Sequence, residues 1–247
     1  MGRFASLEKV FQAAESILQK NEADAVENQL HQAAKNYQRA LEMAGEYPQS
    51  VVANTCLGMA RVCYEWNDLD AAQRHGEQGV QLARQKEMND QAISHEAFLA
   101  RLKLAQGDVA EASAIVDRAN QSICQHNFIH RIPEVVAVQV RVLLRQGNLA
   151  TALNLAQKHD LPRSQARVCL AQGDTSTALT ILNFFRERME TRDRKDEILK
   201  ILVLQAVALH AHGETNQAVE RLGEALSLAE PGGFVKEGCV WPNRVCP

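Results

Sequence analysis

The chain is poor in the residues that build β-sheets and tight turns. Aromatic residues make up 5% of its 247 residues, and it has only 6 prolines and 13 glycines. A β-sandwich or barrel needs many turns and strands rich in aromatic and β-branched side chains, so this composition excludes a mostly β fold. Alanine, leucine and glutamine are abundant instead, and all three are good helix formers. The composition predicts an all-α fold.

The chain also lacks an excess of basic charge and a long apolar run. Its formal net charge is −3, which disfavours direct contact with nucleic acid or with an anionic membrane. The most apolar stretch, residues 198–209, contains Lys200 and Gln205 and is too short to span a bilayer. The first residues show no apolar signal segment, and the six cysteines are typical of reduced thiols. We therefore expect a cytoplasmic protein with no membrane or nucleic-acid contact.

A short turn motif recurs six times along the chain. It consists of Gly or Asn, any residue, then Leu, Val or Thr, two further residues and Ala, and it begins at Asn28, Asn67, Gly107, Gly147, Gly173 and Gly213. Gly or Asn tolerates the left-handed conformation that ends a helix. The Asp, Asn or Glu that often follows suits the start of the next helix, where backbone N–H groups need acceptors. The small Ala lets two helices approach closely.

The helices on either side of each turn carry apolar or small residues at helical spacing. Before the turns these include Leu57, Ala60, Tyr64, Ala97, Ala100, Leu104, Ala137, Val140, Leu144, Val203, Ala206 and Leu209. After the first and last turns they include Ala33, Tyr37, Ala40, Leu41, Ala218, Leu222, Ala225 and Leu226. Each unit is therefore predicted to be a helix–turn–helix hairpin with one buried face.

Stacked hairpins of this kind bury one another's faces and form a right-handed superhelical solenoid. The motifs are 39, 40, 40, 26 and 40 residues apart. The interval of 26 residues predicts shortened helices near Pro162, because proline restricts the residue before it and ends a helix there. The apolar residues between positions 7 and 18 predict one more helix ahead of the first turn.

Several segments resemble a known family more specifically. The helices after the turns have the spacing of the second helix of a tetratricopeptide repeat, although the period of about 40 residues exceeds the usual 34. Residues 57–72, which end in Trp66-Asn67-Asp68-Leu69-Asp70-Ala71-Ala72, resemble the helical sensor region of the large ATP-dependent LuxR-type (MalT-like) transcriptional regulators. So do residues 100–108, 202–213 and 225–235, the last of which contains Pro231-Gly232-Gly233-Phe234-Val235.

This resemblance implies a module that senses an effector or binds a partner. The family joins such a region to a nucleotide-binding module and a DNA-binding domain, but the chain has no phosphate-binding glycine loop, and only 12 residues follow Val235. We expect a helical-repeat domain over residues 1–235 and an irregular tail over residues 236–247. The expected ligand on the concave surface is a small-molecule effector, a protein or a peptide. Self-association of the chain is a further possibility that the sequence leaves open. A stand-alone scaffold for a protein or peptide is the alternative.

Arg61, Arg101, Arg141 and Arg167 each lie six residues before a turn motif. Stacking should align them as a ladder, which predicts either a binding strip for an anionic ligand or acidic partner, or ion pairs between hairpins. The adjacent Tyr64, Glu65 and Trp66 are also candidate binding residues, since a tryptophan beside a carboxylate can stack on a sugar. A tryptophan just before a turn is more often a packing residue.

Metal and catalytic sites receive little support from the sequence. Cys124, His126 and His130, with Glu134, share a region, but they lack the spacing of an established zinc motif. No nucleophile elbow, zinc-protease helix or glycine-rich phosphate loop is present in the sequence. We therefore expect no cofactor and no enzymatic activity.

Overall fold

The computed structural model describes residues 29–43 and 48–229. Within these ranges the chain forms eleven α-helices and a 3-10 turn at Ile129–Arg131, and it contains no strand. The helices are α1 (Gln29–Glu42), α2 (Gln49–Glu65), α3 (Leu69–Gln85), α4 (Asn89–Gln106), α5 (Val109–His126), α6 (Ile132–Arg145), α7 (Leu149–Lys158), α8 (Pro162–Ala171), α9 (Thr175–Glu190), α10 (Lys195–His212) and α11 (Thr215–Ala229). The predicted helix between residues 7 and 18, the motif start at Asn28 and the predicted tail over residues 236–247 lie outside the described residues.

The helices form two layers of one solenoid. Helices that are adjacent in sequence pack against each other, and α2, α4, α6, α8 and α10 also contact one another in order. Among the described helices, no comparable contact joins two odd-numbered ones. The even-numbered helices therefore lie closer together and form the inner layer of the curved stack. The predicted all-α solenoid is confirmed, and none of the helices described is long and apolar enough to cross a membrane.

The turn within each hairpin has the conformation that its residues predict. The left-handed region is occupied, with φ between 60° and 94°, at Asn67, Gly107, Gly147, Gly173 and Gly213. The following side chain accepts a hydrogen bond from a backbone N–H in the first turn of the next helix at Asp68, Asp108, Asn148 and Asp174. The alanines of the motif are buried at positions 72, 112, 152, 178 and 218. The motif therefore ends one helix, caps the next and lets the two pack closely.

The turns between hairpins are built differently and were not predicted. In the part of the chain that the structure describes, they also contain a left-handed residue, but here it is not glycine: the residues are Glu87, Asn127, Asp160 and Asp193. Each follows an outer helix and precedes the next inner one. Asn and Asp enter the left-handed region more readily than other non-glycine residues, but they are also common on any surface. Pro162 begins α8, and the helices beside it, α7 and α8, have only 10 residues each, as the shortened interval predicts.

The hydrophobic core continues from hairpin to hairpin through shared helices. One cluster spans α1 to α6, and three further clusters link α6 with α8, α8 with α10, and α10 with α11. Leu102 on α4 and Ile201 on α10 are fully buried in this core. Leu226, which the sequence pattern places on the buried face of α11, is instead 49% exposed.

His95 joins two inner helices at the centre of the longest cluster. Its imidazole is fully buried, with Nε2 3.0 Å from the carbonyl oxygen of Ala53 on α2 and Nδ1 2.6 Å from that of Gln91 on its own helix. Gly79 on α3 makes room for the ring, because a Cβ at that position would lie 2.6 Å from His95 Cδ2. The side chain therefore connects α4 to α2 beneath α3.

We expect the free energy of unfolding to fall as the pH falls from about 6.5, the ordinary histidine pKa. Burial lowers the pKa of His95 more than its two carbonyl neighbours raise it. The unfolded chain therefore binds this proton more readily, so the contribution of His95 is present above the unfolded pKa and is lost as the pH falls toward the folded pKa. The free energy of unfolding, measured by urea denaturation, should therefore be lower at pH 5.5 than at pH 7.5.

The variant His95→Gln should show a weaker pH dependence in the same experiment. Part of the pH dependence of the unfolding free energy should remain in this variant, because burial also lowers the pKa of His75. Equal pH dependence in the variant and the unmodified chain would contradict this role for His95. If the variant does not fold, NMR titration of the His95 ring in the unmodified chain tests the same point, and a pKa at or above 6.5 would overturn it.

Candidate interaction surface

The inner layer positions the predicted arginine ladder as its spacing requires. Arg61 lies on α2, Arg101 on α4, Arg141 on α6 and Arg167 on α8, so each inner helix from α2 to α8 carries one of them. Arg61 is exposed, whereas the other three are partly buried. Each of the four has interaction partners within the fold.

Arg101 contacts two of the other predicted site residues. Its Nη2 donates a hydrogen bond to Glu65 Oε1 at 3.1 Å, and its guanidinium carbon lies 4.4 Å from the centre of the Tyr64 ring. Tyr64 is buried and meets the Phe98 ring edge-on, with the ring centres 5.9 Å apart. Because Tyr64 and Glu65 belong to α2, these contacts hold α4 against α2. The structure thus brings Tyr64, Glu65 and Arg101 together, and it gives Arg101 a role in packing neighbouring hairpins.

Arg61 takes part in a contact that crosses a whole helix. Its Nη2 lies 3.7 Å from Glu134 Oε1, and Glu134 is on α6. The same carboxylate oxygen accepts a hydrogen bond of 2.9 Å from Ser94 Oγ on α4. Since α2 and α6 lie on either side of α4, the Arg61–Glu134 pair passes over the inner face of α4. This contact helps to explain why every residue from 92 to 100 is buried although α4 belongs to the inner layer.

A second charged cluster joins the start of α4 to the start of α6. Arg131 donates two hydrogen bonds to the Asp90 carboxylate, from Nε at 2.8 Å and from Nη2 at 2.5 Å, and His130 Nε2 lies 2.7 Å from the same carboxylate. The hydrogen bonds from Arg131 hold the pKa of Asp90 below its ordinary value, and Asp90 in turn raises the pKa of Arg131. Arg131 also contacts Glu134 at 3.4 Å, so this cluster continues into the Arg61 contact.

The possible metal ligands of the sequence are not brought together. His130 contacts Asp90, whereas Cys124 and His126 are exposed on the last turn of α5. In the described part of the chain no group of three His, Cys, Asp or Glu side chains could hold a metal ion.

Trp66 lies partly buried against the first core cluster, at the end of α2, which is the first helix of the α2–α3 hairpin. Its ring centre is 5.0 Å from that of His31 on α1, and its Nε1 is buried with no hydrogen-bond partner among the described residues. The side chain therefore packs between hairpins. Its contacts do not show whether Trp66 also binds a ligand. Ligand binding by Trp66 therefore stays a prediction, and so does ligand binding by Arg141 and Arg167.

Sequence patterns missed Asp90, Ser94 and Arg131, as well as the role of Glu134, and these residues make most of the ionic and polar contacts on this surface. A usable signal was present, because Asp90 and Arg131 are 41 residues apart and Ser94 and Glu134 are 40 apart, which is about one repeat. Complementary polar groups one period apart face each other across neighbouring inner helices. A search for such pairs at the repeat period could have found them.

A stack of helix–turn–helix hairpins with a polar, ion-paired inner layer defines a helical-repeat protein of the tetratricopeptide type. The family model described as the MalT-like TPR region matches residues 4–237, and the chain belongs to this family. The predicted resemblance is therefore confirmed.

Solved structures share the fold at low sequence identity. Aspartyl phosphate phosphatase F from Bacillus subtilis has a TM-score of 0.67 at 12% identity, over 99% of this chain and 64% of that one. A Rap protein complexed with Competence and Sporulation Factor has a TM-score of 0.69 at 15% identity, over 94% of this chain and 66% of that one. The chain thus spans slightly less than two thirds of the length of both structures. No curated protein matches the chain significantly.

Proposed function

We propose that the chain is the effector-sensing or protein-interaction module of a bacterial LuxR-type ATP-dependent transcriptional regulator. The match of the MalT-like family model over residues 4–237 carries the proposal. A small-molecule effector or a protein partner binds the inner surface and shifts the regulator between resting and assembling states. The module acts in the cytoplasm by binding, catalyses no reaction and makes no direct contact with DNA.

The inner surface has contacts that a ligand could replace. The Arg61 and Glu134 side chains are 44% and 34% exposed, and their closest atoms are 3.7 Å apart. An exposed ion pair of this kind contributes little to stability. A carboxylate or hydroxyl group of a ligand could therefore take the place of Glu134 beside Arg61 at small cost. The Arg101 contact is more buried and serves better as a fixed wall of the surface.

The alternative is a stand-alone scaffold that binds a protein or peptide and needs no small-molecule effector. The complex of a Rap protein with Competence and Sporulation Factor favours it, because a similar fold there holds a second molecule. Identity of 15% supports the shared fold only. Self-association through the same surface belongs to this alternative.

Titration calorimetry of the 247-residue chain with oligosaccharides and small metabolites tests the sensor function. If one of them binds, reversing Arg61 to glutamate should weaken its affinity at least tenfold while the chain stays folded, because Arg61 is exposed and its pair with Glu134 contributes little to stability. The control variant is Arg74→Glu, which changes an exposed arginine on the outer helix α3, and its affinity should be unchanged.

Two results would reject parts of the proposal. A large fall in melting temperature with unchanged ligand affinity in Arg61→Glu would show that Arg61 only holds the hairpins together. Absence of binding by any small molecule, together with recovery of a stoichiometric protein partner in a pull-down, would replace the sensor with the scaffold.

A further inference from the structure

A groove on the outer side of the solenoid is lined by regularly placed charged residues. None of them belongs to the candidate surface on the inner layer. The groove encloses a cavity of about 340 Å³ between the outer helices α3 and α5, and the inner helix α4 forms its floor. This volume is in the range of small-molecule sites. Three buried branched side chains, one from each helix, line its middle: Val80, Leu99 and Ile115.

The two ends of the groove carry opposite net charge. On each of the three helices an acidic and a basic residue lie seven positions apart, on either side of the apolar residue. Because α4 runs opposite to α3 and α5, its charges are reversed relative to theirs. One end therefore holds Arg84, Arg118 and Glu96, and the other end holds Glu77, Glu111 and Lys103. Seven residues of helix rise separate the two ends by about 10 Å.

The end with Arg84 and Arg118 contains a buried carboxylate, that of Glu96, of which only one oxygen has a hydrogen-bond partner among the described residues. Glu96 has a side chain that is 5% exposed, and its Oε1 accepts a hydrogen bond from Arg84 Nη2. Its other oxygen, Oε2, is buried and has no hydrogen-bond partner among the described residues. A buried acceptor without a donor costs free energy, so this end suits a ligand that brings an N–H group as well as an anion.

The walls of the groove can open toward such a ligand. Arg118 and Glu111 contact each other at 3.1 Å along α5, and their side chains are 48% and 45% exposed. A pair as exposed as this one contributes little to stability. Binding can therefore separate the two, so that Arg118 faces an anionic group at one end and Glu111 a cationic group at the other.

We propose that this outer groove binds a linear zwitterion whose ammonium and carboxylate groups are about 10 Å apart. A peptide of three residues with free ends has this length, because an extended chain spans about 3.3–3.6 Å per residue. Its carboxylate lies by Arg84 and Arg118, the peptide N–H beside that carboxylate matches the unused Glu96 oxygen, and its ammonium lies by Glu77 and Glu111. An apolar central side chain rests on the branched residues of the floor.

Titration calorimetry of the 247-residue chain with the tripeptide Ala-Leu-Ala tests this inference. The peptide with free ends should bind, and acetylating its amino end or amidating its carboxyl end should weaken binding at least tenfold. The variants Arg118→Gln and Glu111→Gln should each weaken binding of the free peptide at least tenfold with little change in melting temperature, since both residues are about half exposed.

The matched control is Arg221→Gln, which changes an arginine in the corresponding groove between α9 and α11 and should leave the affinity unchanged. Absence of binding at millimolar peptide, equal affinity for free and blocked peptides, or unchanged affinity in Arg118→Gln would each overturn the proposal. The inner arginines are not involved, so failure here leaves the proposed sensor function untouched. If the sensor function fails its test, the proposal for the outer groove likewise still stands or falls on its own experiment.

Discussion

Replacing Gly79 with alanine should lower the free energy of unfolding by about 2 kcal/mol, within the usual range for overpacking. The new Cβ would lie 2.6 Å from His95 Cδ2 and 3.3 Å from the carbonyl oxygen of Ala53. The His95 ring cannot move away freely, because both of its nitrogens lie against backbone carbonyls. The clash should therefore outweigh the helix propensity that alanine brings. Urea denaturation followed by circular dichroism measures the change.

The control is Gly223→Ala on α11, where a Cβ would meet nothing within 4 Å. Both glycines lie inside helices, so helix propensity alone predicts a gain of about 0.5–1 kcal/mol for each substitution. We expect that gain only at position 223. A Gly79→Ala variant that gains stability as Gly223→Ala does would show that the space around His95 is not restricted.

Replacing Leu102 with alanine should cost about 3 kcal/mol, as is usual for truncating a fully buried leucine. Leu102 is 0% exposed in the cluster that spans α1 to α6. Because each hairpin packs only on its neighbours, the damage should remain local. Hydrogen exchange should become faster from α2 to α6 and should change much less from α9 to α11.

Leu226→Ala on α11 serves as the comparison, since this leucine is 49% exposed. Its effect on the free energy of unfolding should stay within about 0.5 kcal/mol. If Leu102→Ala accelerates exchange equally along the whole chain, the solenoid unfolds as one cooperative unit, and the local picture is wrong.

The sequence was sufficient to predict the hairpins and their turns, because those depend on local chemistry. A left-handed residue at Gly107 or Gly213, a capping side chain at Asp108 and a small residue at Ala112 act within a few positions of one another. The period of these motifs then predicts the solenoid. The left-handed residues between hairpins, such as Glu87, were missed because their side chains give no comparable signal.

The candidate surface was only partly predictable, because its contacts join residues one or two repeats apart. The ladder spacing correctly placed Arg61 and Arg101 on successive inner helices, but it could not identify their partners. Glu65 was predicted beside Tyr64, yet its contact with Arg101 depends on how α4 packs on α2. The sequence pattern pointed to Glu134 only as a neighbour of weakly supported metal ligands. In the structure its carboxylate contacts side chains from three different segments.

The packing of each helix on its first and second neighbours has a consequence for how the chain acquires its structure. Apart from a few side chains, such as those of Arg61 and Glu134, contacting residues are separated by about one repeat at most, which gives the molecule a low contact order. Chains with a low contact order fold fast, because little loop-closure entropy is lost before contacts form. Each new hairpin can therefore fold onto the previous one during synthesis, before the rest of the protein has left the ribosome.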